Sequence, residues 1–479
     1  MFYLSRVPPR TTYTVLSLLL IPPIVLSPLI ALISAFSIFL PLIGFAFVPS
    51  LVGSLTVLAF TLPAFGYLQF AQSDPPPRER LPFVSLHPKR NVMLTLQAFR
   101  WGWYVLSTAW TVLRQWCLQQ VISIWKRSQR VISTHIPFGK GEFLTVYHPK
   151  DLAQSASSSA EDSTSAITTI TTNPNLRPIL LLLPTPTSPF PSSVYLPLLA
   201  LHLRAHLPFS TLIIHPSNSG KDSYPRTRLP QSARSTRRIL RWINENAATY
   251  GGDITKVYVC GQSSGAVVAL WAGGWREQII KGREDWVWEK WKEGQIGLDG
   301  DGDGDEGLGN GLKRVDLWEE EEKMEEGDTD DEKGAVVKGM ILLSPMTDIP
   351  LQIRHEANLY AEHVSATRRF FGPSQTESML ASPAHILFAA RNVLNVGETG
   401  LNTRFLIIHG GKDEWVPVRQ SVLLRELLVG LGVQEVSFRA YKAMGHLDPL
   451  LALMIGIKND YSTTLLRDIS NFIAPDGIP

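Results

Sequence analysis

The chain has 479 residues, 44% of them hydrophobic, with 45 basic and 43 acidic side chains and a formal net charge of +2. That length holds one large domain plus extra segments, and the apolar content is that of a globular protein. The near-neutral total is a cancellation, because residues 299–332 carry 16 acidic and 3 basic side chains, which leaves +15 on the rest. Only two cysteines are present, Cys117 and Cys260, which excludes a disulfide-stapled secreted scaffold. No Asn-x-Ser/Thr acceptor with a non-proline middle residue occurs, which fits a main domain facing the cytosol.

In chain order, positions 11–73 form a run of 63 residues without a single charge. A membrane-crossing helix needs roughly 20 residues, so the run predicts two helices, near Thr14–Phe39 and Leu42–Phe70, with Pro41 between them. Pro22, Pro23 and Pro28 predict a kink in the first. Arg6 and Arg10 precede the run, and Arg78, Arg80, Lys89 and Arg90 follow it. Basic flanks on both sides place both ends in the cytosol. Residues 1–75 therefore read as a transmembrane hairpin. Residues 76–130 read as a basic, tryptophan-rich juxtamembrane region. Trp101, Trp103, Trp110, Trp116 and Trp125 fall there among apolar residues, interrupted by Arg100 and Arg114, which suggests an interfacial amphipathic helix. A third span is the alternative, and it would move the domain to the opposite side of the membrane. Ten basic and two acidic residues lie between 76 and 142, which suits an anionic leaflet.

The remainder, 131–479, reads as one domain with two interruptions. Residues 150–175 are dense in Ser, Thr and Ala and predict a flexible loop. Residues 294–334, rich in Gly, Asp and Glu, predict a disordered insertion. The insertion contains an Asp-Gly repeat from Asp299 with the spacing of a calcium loop, but its twelfth position is Asn310 where a glutamate is needed, so it reads as a solvated acidic loop. Between the interruptions, buried strands are expected at Pro178–Leu183, Thr211–His215, Lys256–Cys260, Val336–Leu343, Arg404–His409 and Glu435–Ala440. Helices are expected near Leu196–His206, Arg234–Thr249, Gly265–Lys292 and Arg419–Leu431. Strands alternating with helices predict an α/β fold, a mostly parallel sheet flanked by helices, with its site beyond the carboxyl ends of the strands.

Three residues at such ends carry chemistry. Lys256-Val-Tyr-Val-Cys-Gly-Gln-Ser-Ser-Gly265 is a strand entering a Gly-x-Ser-x-Gly turn, and Ala266-Val-Val-Ala-Leu-Trp271 continues it as a helix. The five-residue pattern alone is common; the strand before and helix after are the context that a nucleophile elbow requires. Ser263 is the candidate nucleophile, and the Ser264 backbone N–H is a candidate oxyanion donor. Asp413 ends the strand Arg404–His409 plus its glycine turn and is the candidate acid, with Asp348 as the alternative. His409, in the same turn, reads as structural. His446 comes after the last strand and is the candidate base, with Asp448 capping the next turn or helix. The order Ser263, Asp413, His446 is the one that this kind of site uses. No cofactor, metal or nucleic acid is expected.

These residues resemble the α/β-hydrolase superfamily, in its carboxylesterase and lipase-like members. Tyr250-Gly-Gly-Asp253 before the nucleophile strand, and Phe143-Leu-Thr-Val-Tyr-His-Pro149 as a first hairpin, are similar to that family. The multi-span amino terminus, Arg354-His-Glu-Ala357 and Ser382-Pro383 resemble its prenylcysteine methylesterase branch. The resemblance implies an α/β-hydrolase fold with an amino-terminal transmembrane hairpin, a multi-pass protein of the endoplasmic reticulum or Golgi, and a lipophilic ester substrate. One departure stands out. Where the family has a His-Gly-Gly oxyanion turn, this chain has Leu183-Pro-Thr-Pro-Thr-Ser188. Proline has no N–H to donate, so the donors fall to Thr185, Thr187 or the Ser188 backbone. Losing one such donor costs about 10²–10³ in rate. Hence the alternative expectation of an impaired hydrolase fold that binds a lipid or a partner. A third is a membrane scaffold acting through its basic and acidic segments. The sequence leaves the oligomeric state open.

Overall fold

In the computed structural model, residues 9–39, 44–71, 87–125, 133–139, 142–148, 176–188, 190–207, 211–218, 228–273, 334–372, 375–391, 403–456 and 459–474 are described. The loop at 150–175 and the acidic insertion at 294–334, apart from Gly334, lie outside them. The chain divides into two compact units, one of residues 1–111 with 350–373, the other of residues 112–349 with 374–479.

The larger unit is built on eight strands. They are β1 (Ser133–Gly139), β2 (Glu142–Tyr147), β3 (Arg177–Leu182), β4 (Leu212–Asn218), β5 (Gly252–Gln262), β6 (Val337–Leu343), β7 (Arg404–Gly410) and β8 (Val436–Tyr441). Their order in the sheet is β1-β2-β4-β3-β5-β6-β7-β8. From β4 to β8 every pairing is parallel, and only β2 runs against its neighbours. β3, β6 and β7 are buried along nearly their whole length, as are Leu212–His215 of β4 and Val257–Gln262 of β5, because helices cover both faces, and these stretches read as mostly apolar runs. One face, with Leu180, Leu182, Ile213, Tyr258, Ile341 and Leu406, packs on Leu199, Leu453, Ile469 and Phe472. Those four come from Ser192–His206, Asp448–Ile455 and Asn459–Ile473. Ser264–Ala272 packs on β5 and β6, and Arg419–Gly430 on β7 and β8. A mostly parallel sheet flanked by helices, with a strand-turn-helix elbow on a central strand, is an α/β-hydrolase fold.

The six expected strands all form, with ends shifted by a few residues. β5 begins at Gly252, four residues before the expected start. A Cβ there would sit 2.8 Å from the Leu212 side chain and 2.9 Å from that of Ile179, so a larger residue at the strand's start would have to push those side chains aside. The helix expected to run from Gly265 to Lys292 is described only as far as Ala272.

The smaller unit holds α1 (Pro9–Ser37), α2 (Val48–Gly66) with a π-turn at Tyr67–Ala71, and the first part of α3 (Pro88–Trp125). Val15–Ser37 and Phe45–Ala71 are long and apolar enough to cross a membrane by length and composition, with mean hydropathies of 2.5 and 1.9. Small side chains are among the covered ones, with Leu58 and Leu68 covered as well. Ser27, Ala31, Ser34 and Ser54 are buried, while Leu18, Leu19, Phe36 and Val52 are exposed. Ser34 and Ser50 join their hydroxyls at 3.0 Å across the pair.

The unit also contains residues 350–373, an excursion of the chain between β6 and β7. Sequence places this excursion within a domain of 131–479; its contacts place it with the amino-terminal helices. His363 Nδ1–H donates to the Pro63 carbonyl (3.1 Å), Arg369 donates to the Gln69 carbonyl (2.9 Å), and Arg90 pairs with Glu362. The carboxylate of Glu356, fully buried, accepts from Gln352 (3.0 Å) and Thr367 (2.7 Å), tying the excursion's two helices together.

Candidate active site

Ser263 stands between β5 and the helix Ser264–Ala272, with φ 54° and ψ −117°. A non-glycine residue in this region costs about 1–3 kcal/mol and persists only where its surroundings impose it. The surroundings here are identifiable. The Ser263 N–H is held by the Leu343 carbonyl of the adjacent strand (2.8 Å). A Cβ at position 261 would lie 2.3 Å from the Gly265 carbonyl oxygen, and one at 265 would lie 2.5 Å from the Pro184 carbonyl oxygen. Both glycines of the motif are thus required by backbone-to-backbone approach. Ser263 is 2% exposed. At the end of β6, next in the sheet, Ser344 also has positive φ (44°), and its buried hydroxyl has no hydrogen-bond partner among the described residues.

Asp413 follows β7 and its turn. One carboxylate oxygen accepts the N–H groups of Trp415 (2.9 Å) and Val416 (2.8 Å). The other accepts His446 Nδ1–H at 2.8 Å and lies 3.3 Å from His409 Nε2. Burial alone would raise the Asp413 pKa. The charge of His446, its hydrogen bond and the nearby His409 ring more than offset it and hold the carboxyl well below the usual range. The pair is therefore a carboxylate beside an imidazole whose Nδ1 is occupied, leaving Nε2 as the nitrogen available to accept a proton. Among the described residues, no hydrogen bond yet joins Ser263 to the His446 ring. Such bonds are often long before a substrate binds.

His409 is wholly buried. Its Nε2–H donates to the Val416 carbonyl (2.9 Å), and its Nδ1 accepts from the Ser421 hydroxyl (2.6 Å). Both ring nitrogens are used within the fold, consistent with a structural role. The alternative acid, Asp348, has His385 Nε2 at 3.6 Å, so Asp413 is the carboxylate against His446. Asp448 accepts the Gly445 N–H (2.9 Å) and so holds the loop that carries His446.

The turn at 183–188 departs from expectation. The Thr185 N–H donates to the buried Tyr195 hydroxyl (2.6 Å), and the Thr185 hydroxyl to the Gln262 carbonyl (3.2 Å). The Thr187 N–H donates to Ser264 Oγ (3.2 Å), and the two hydroxyls of Thr187 and Ser264 meet at 2.8 Å. The expected donors Thr185 and Thr187 thus have both N–H groups committed, and their hydroxyls clamp the turn onto the elbow at Gln262 and Ser264. The Ser188 N–H is committed as well, to the Thr185 carbonyl (2.9 Å). The Ser264 N–H is the first of its helix, so it has no acceptor within that helix, and it directly follows the nucleophile position.

Two contributors escaped the sequence reading. Tyr195, with burial pushing its hydroxyl up to about 12, is the acceptor that pins Thr185. Gln262, inside the motif itself, donates its side-chain N–H to the His446 carbonyl (3.0 Å). It links the elbow directly to the loop of the base. Its other amide atom is buried without a partner among the described residues. Its place beside the serine was the only available signal. Among the described residues, no group of three or more His, Cys, Asp or Glu is arranged to hold a metal ion.

The chain matches no family model, and no curated protein sequence matches it. Solved structures similar to it include Thermogutta terrifontis esterase 2 phosphorylated by paraoxon, at 14% identity and a TM-score of 0.42, covering 72% of this chain and 95% of that one. Esterase B from Lactobacillus rhamnosis has 11% identity and a TM-score of 0.44, covering 82% and 100%. An acetyl ester-xyloside bifunctional hydrolase from Caldicellulosiruptor lactoaceticus has 14% identity and a TM-score of 0.41, covering 71% and 96%. At such values these similarities add nothing to the fold assignment, which rests on the sheet and the elbow.

Proposed function

We propose that the protein is a membrane-anchored serine hydrolase that cleaves the carboxylic ester of a lipophilic substrate. The observation that carries the reading is the strained backbone of Ser263 on the same strand edge as the Asp413–His446 pair, with Gln262 bridging the two. In the reaction, His446 Nε2 takes the Ser263 proton as the serine oxygen attacks the ester carbonyl, and the Ser264 N–H faces the developing oxyanion. His446 then protonates the leaving alcohol, and water releases the acyl group from Ser263 by the same steps. Asp413 holds the imidazole in the required tautomer and stabilises its charged form.

The anchor reading is supported by the burial pattern of α1 and α2. Large apolar side chains outward and small or hydroxylated ones between the helices is the arrangement that lipid favours. Among lipophilic esters, the sequence resemblance favours a prenylcysteine methyl ester, with an acyl lipid or sterol ester as the other members of the class. The resemblance also points to the endoplasmic reticulum or Golgi, with the hydrolase domain in the cytosol.

One observation favours a second reading, a catalytically impaired hydrolase fold that binds a lipid or partner. The N–H groups of Thr185, Thr187 and Ser188 are all committed, which leaves the Ser264 N–H as the oxyanion donor. The test is hydrolysis of a graded series of p-nitrophenyl acyl esters by purified full-length protein. The hydrolase reading expects turnover that rises with acyl length and disappears in Ser263→Ala. Turnover unchanged in Ser263→Ala overturns the nucleophile assignment; no turnover with any ester favours the second reading.

A further inference from the structure

Over residues 88–114, α3 has two apolar faces, and among these described side chains one face is covered. Toward α2, Leu94 and Thr95 are buried, the Thr95 hydroxyl lies 3.4 Å from the Ala59 carbonyl, and Trp101 packs edge-on against Phe70 at 5.3 Å. On the other side, Val92, Leu96, Phe99, Trp103, Leu106 and Trp110 are all exposed, with Trp103 at 73% and Trp110 at 68%. Their spacing alternates four and three residues, which keeps them on one stripe of a helix. At 1.5 Å per residue the stripe is about 27 Å long. An uninterrupted apolar stripe of that size on a protein surface marks a place of contact.

We infer that this stripe lies in the plane of an anionic membrane leaflet, as a second lipid contact beside the hairpin. Three observations select this occupant. First, besides Arg90, which pairs with Glu362, α3 carries Lys89, Arg100 and Arg114 and no acidic residue, the charge that attracts anionic headgroups. Second, exposed tryptophans with leucines are the side chains that settle at the boundary between headgroups and acyl chains. Third, the helix is placed unlike a third span. Going up the chain, Thr95 meets Ala59 and Trp101 meets Phe70, so the register rises along both helices. An antiparallel return through the bilayer, which is what a span following α2 must be, would make it fall. An in-plane α3 also keeps the residues that come after it on the side of the membrane where α2 ends.

This inference rests on the reading of α1 and α2 as a membrane hairpin, and its test separates the two. Single cysteines replace Val92, Leu96, Phe99, Trp103, Leu106 and Trp110 in turn, in full-length protein with Cys117→Ser. Cys260 is buried, and burial pushes its thiol up to about 12, so it stays unlabelled. Each variant is spin-labelled and reconstituted in vesicles of phosphatidylcholine with phosphatidylserine. Relaxation by oxygen and by a water-soluble nickel chelate then reports depth. Leu19→Cys in the hairpin and Glu245→Cys on the exposed side of Leu229–Asn246 are the references.

The expected result is one shallow depth at all six stripe positions, between the references, with the oxygen preference reduced at least twofold when phosphatidylserine is omitted. Depth that changes steadily from 92 to 110 overturns the inference in favour of a third span. Chelate access equal to that of Glu245→Cys overturns it in favour of a water-exposed face. Dipolar broadening without oxygen access overturns it in favour of a second copy of the chain. A Leu19→Cys label that is itself open to the chelate refutes the hairpin reading instead.

Discussion

Replacing Asp413 by asparagine tests the proposed base in a way the geometry makes specific. The amide keeps the size of the side chain but has only one oxygen. The N–H groups of Trp415 and Val416, at 2.9 and 2.8 Å, both require an acceptor on their side. The amide oxygen must therefore take that position, and the NH₂ group points toward His446 and His409. His446 Nδ1 then becomes an acceptor, its proton moves to Nε2, and the nitrogen meant to receive the Ser263 proton is already protonated. A triad held in the wrong tautomer loses about 10⁴ in kcat, equivalent to about 5 kcal/mol of transition-state stabilisation. Losing the charge-assisted bond also lowers stability by about 1.5–3 kcal/mol. The assay is kcat/KM on a soluble acyl ester at pH 7 together with thermal unfolding. Activity within tenfold of the wild type refutes the role of Asp413. An equal or larger loss in Asp348→Asn, with Asp413→Asn active, would transfer the role to Asp348. The same pair of proteins gives a pH prediction. The Asp413 pKa is depressed in the fold, so its contribution is fully present above the unfolded carboxyl value of about 3.9 and fades as pH falls below it. The stability gap between wild type and Asp413→Asn should hold above about pH 4 and close in more acidic solution.

Other consequences are simpler to measure. Ser263→Gly, which relieves the positive φ, should unfold at a higher temperature than Ser263→Ala by an amount worth about 1–2 kcal/mol, with both inactive; equal melting points would mean that the elbow is unstrained. Tyr195→Phe leaves the buried Thr185 N–H without its acceptor and should cost about 1–3 kcal/mol in denaturant unfolding. An unchanged midpoint would show that the turn is held in another way.

The strands from β3 to β8, the strand-turn-helix elbow and the glycine turn that carries Asp413 were legible in the amino-acid sequence because each is a local pattern. An apolar run, two glycines around a serine, and a glycine turn ending in aspartate are all read within about ten residues. What escaped depends on distant partners. The Thr187–Ser264 clamp joins residues 77 apart, the Gln262–His446 bond 184 apart, and the His363–Pro63 bond 300 apart. No window of sequence contains both members of any of these pairs. Counting donors on the segment at 183–188 shows which N–H groups exist but not what consumes them, which is Tyr195 on the following helix for Thr185, Ser264 on the elbow for Thr187 and the Thr185 carbonyl for Ser188. The excursion at 350–373 reads as part of the sheet domain because it lies between two sheet strands, whereas Pro63, Gln69 and Arg90 are its partners.

Whether Ser263 is an activated nucleophile is measured most directly by labelling the full-length protein with a fluorophosphonate and mapping the adduct by mass spectrometry. The expected result is one adduct, on the peptide containing Ser263, absent from Ser263→Ala and strongly reduced in His446→Ala. A folded protein that takes no label at Ser263, or takes it equally well without His446, would contradict that role.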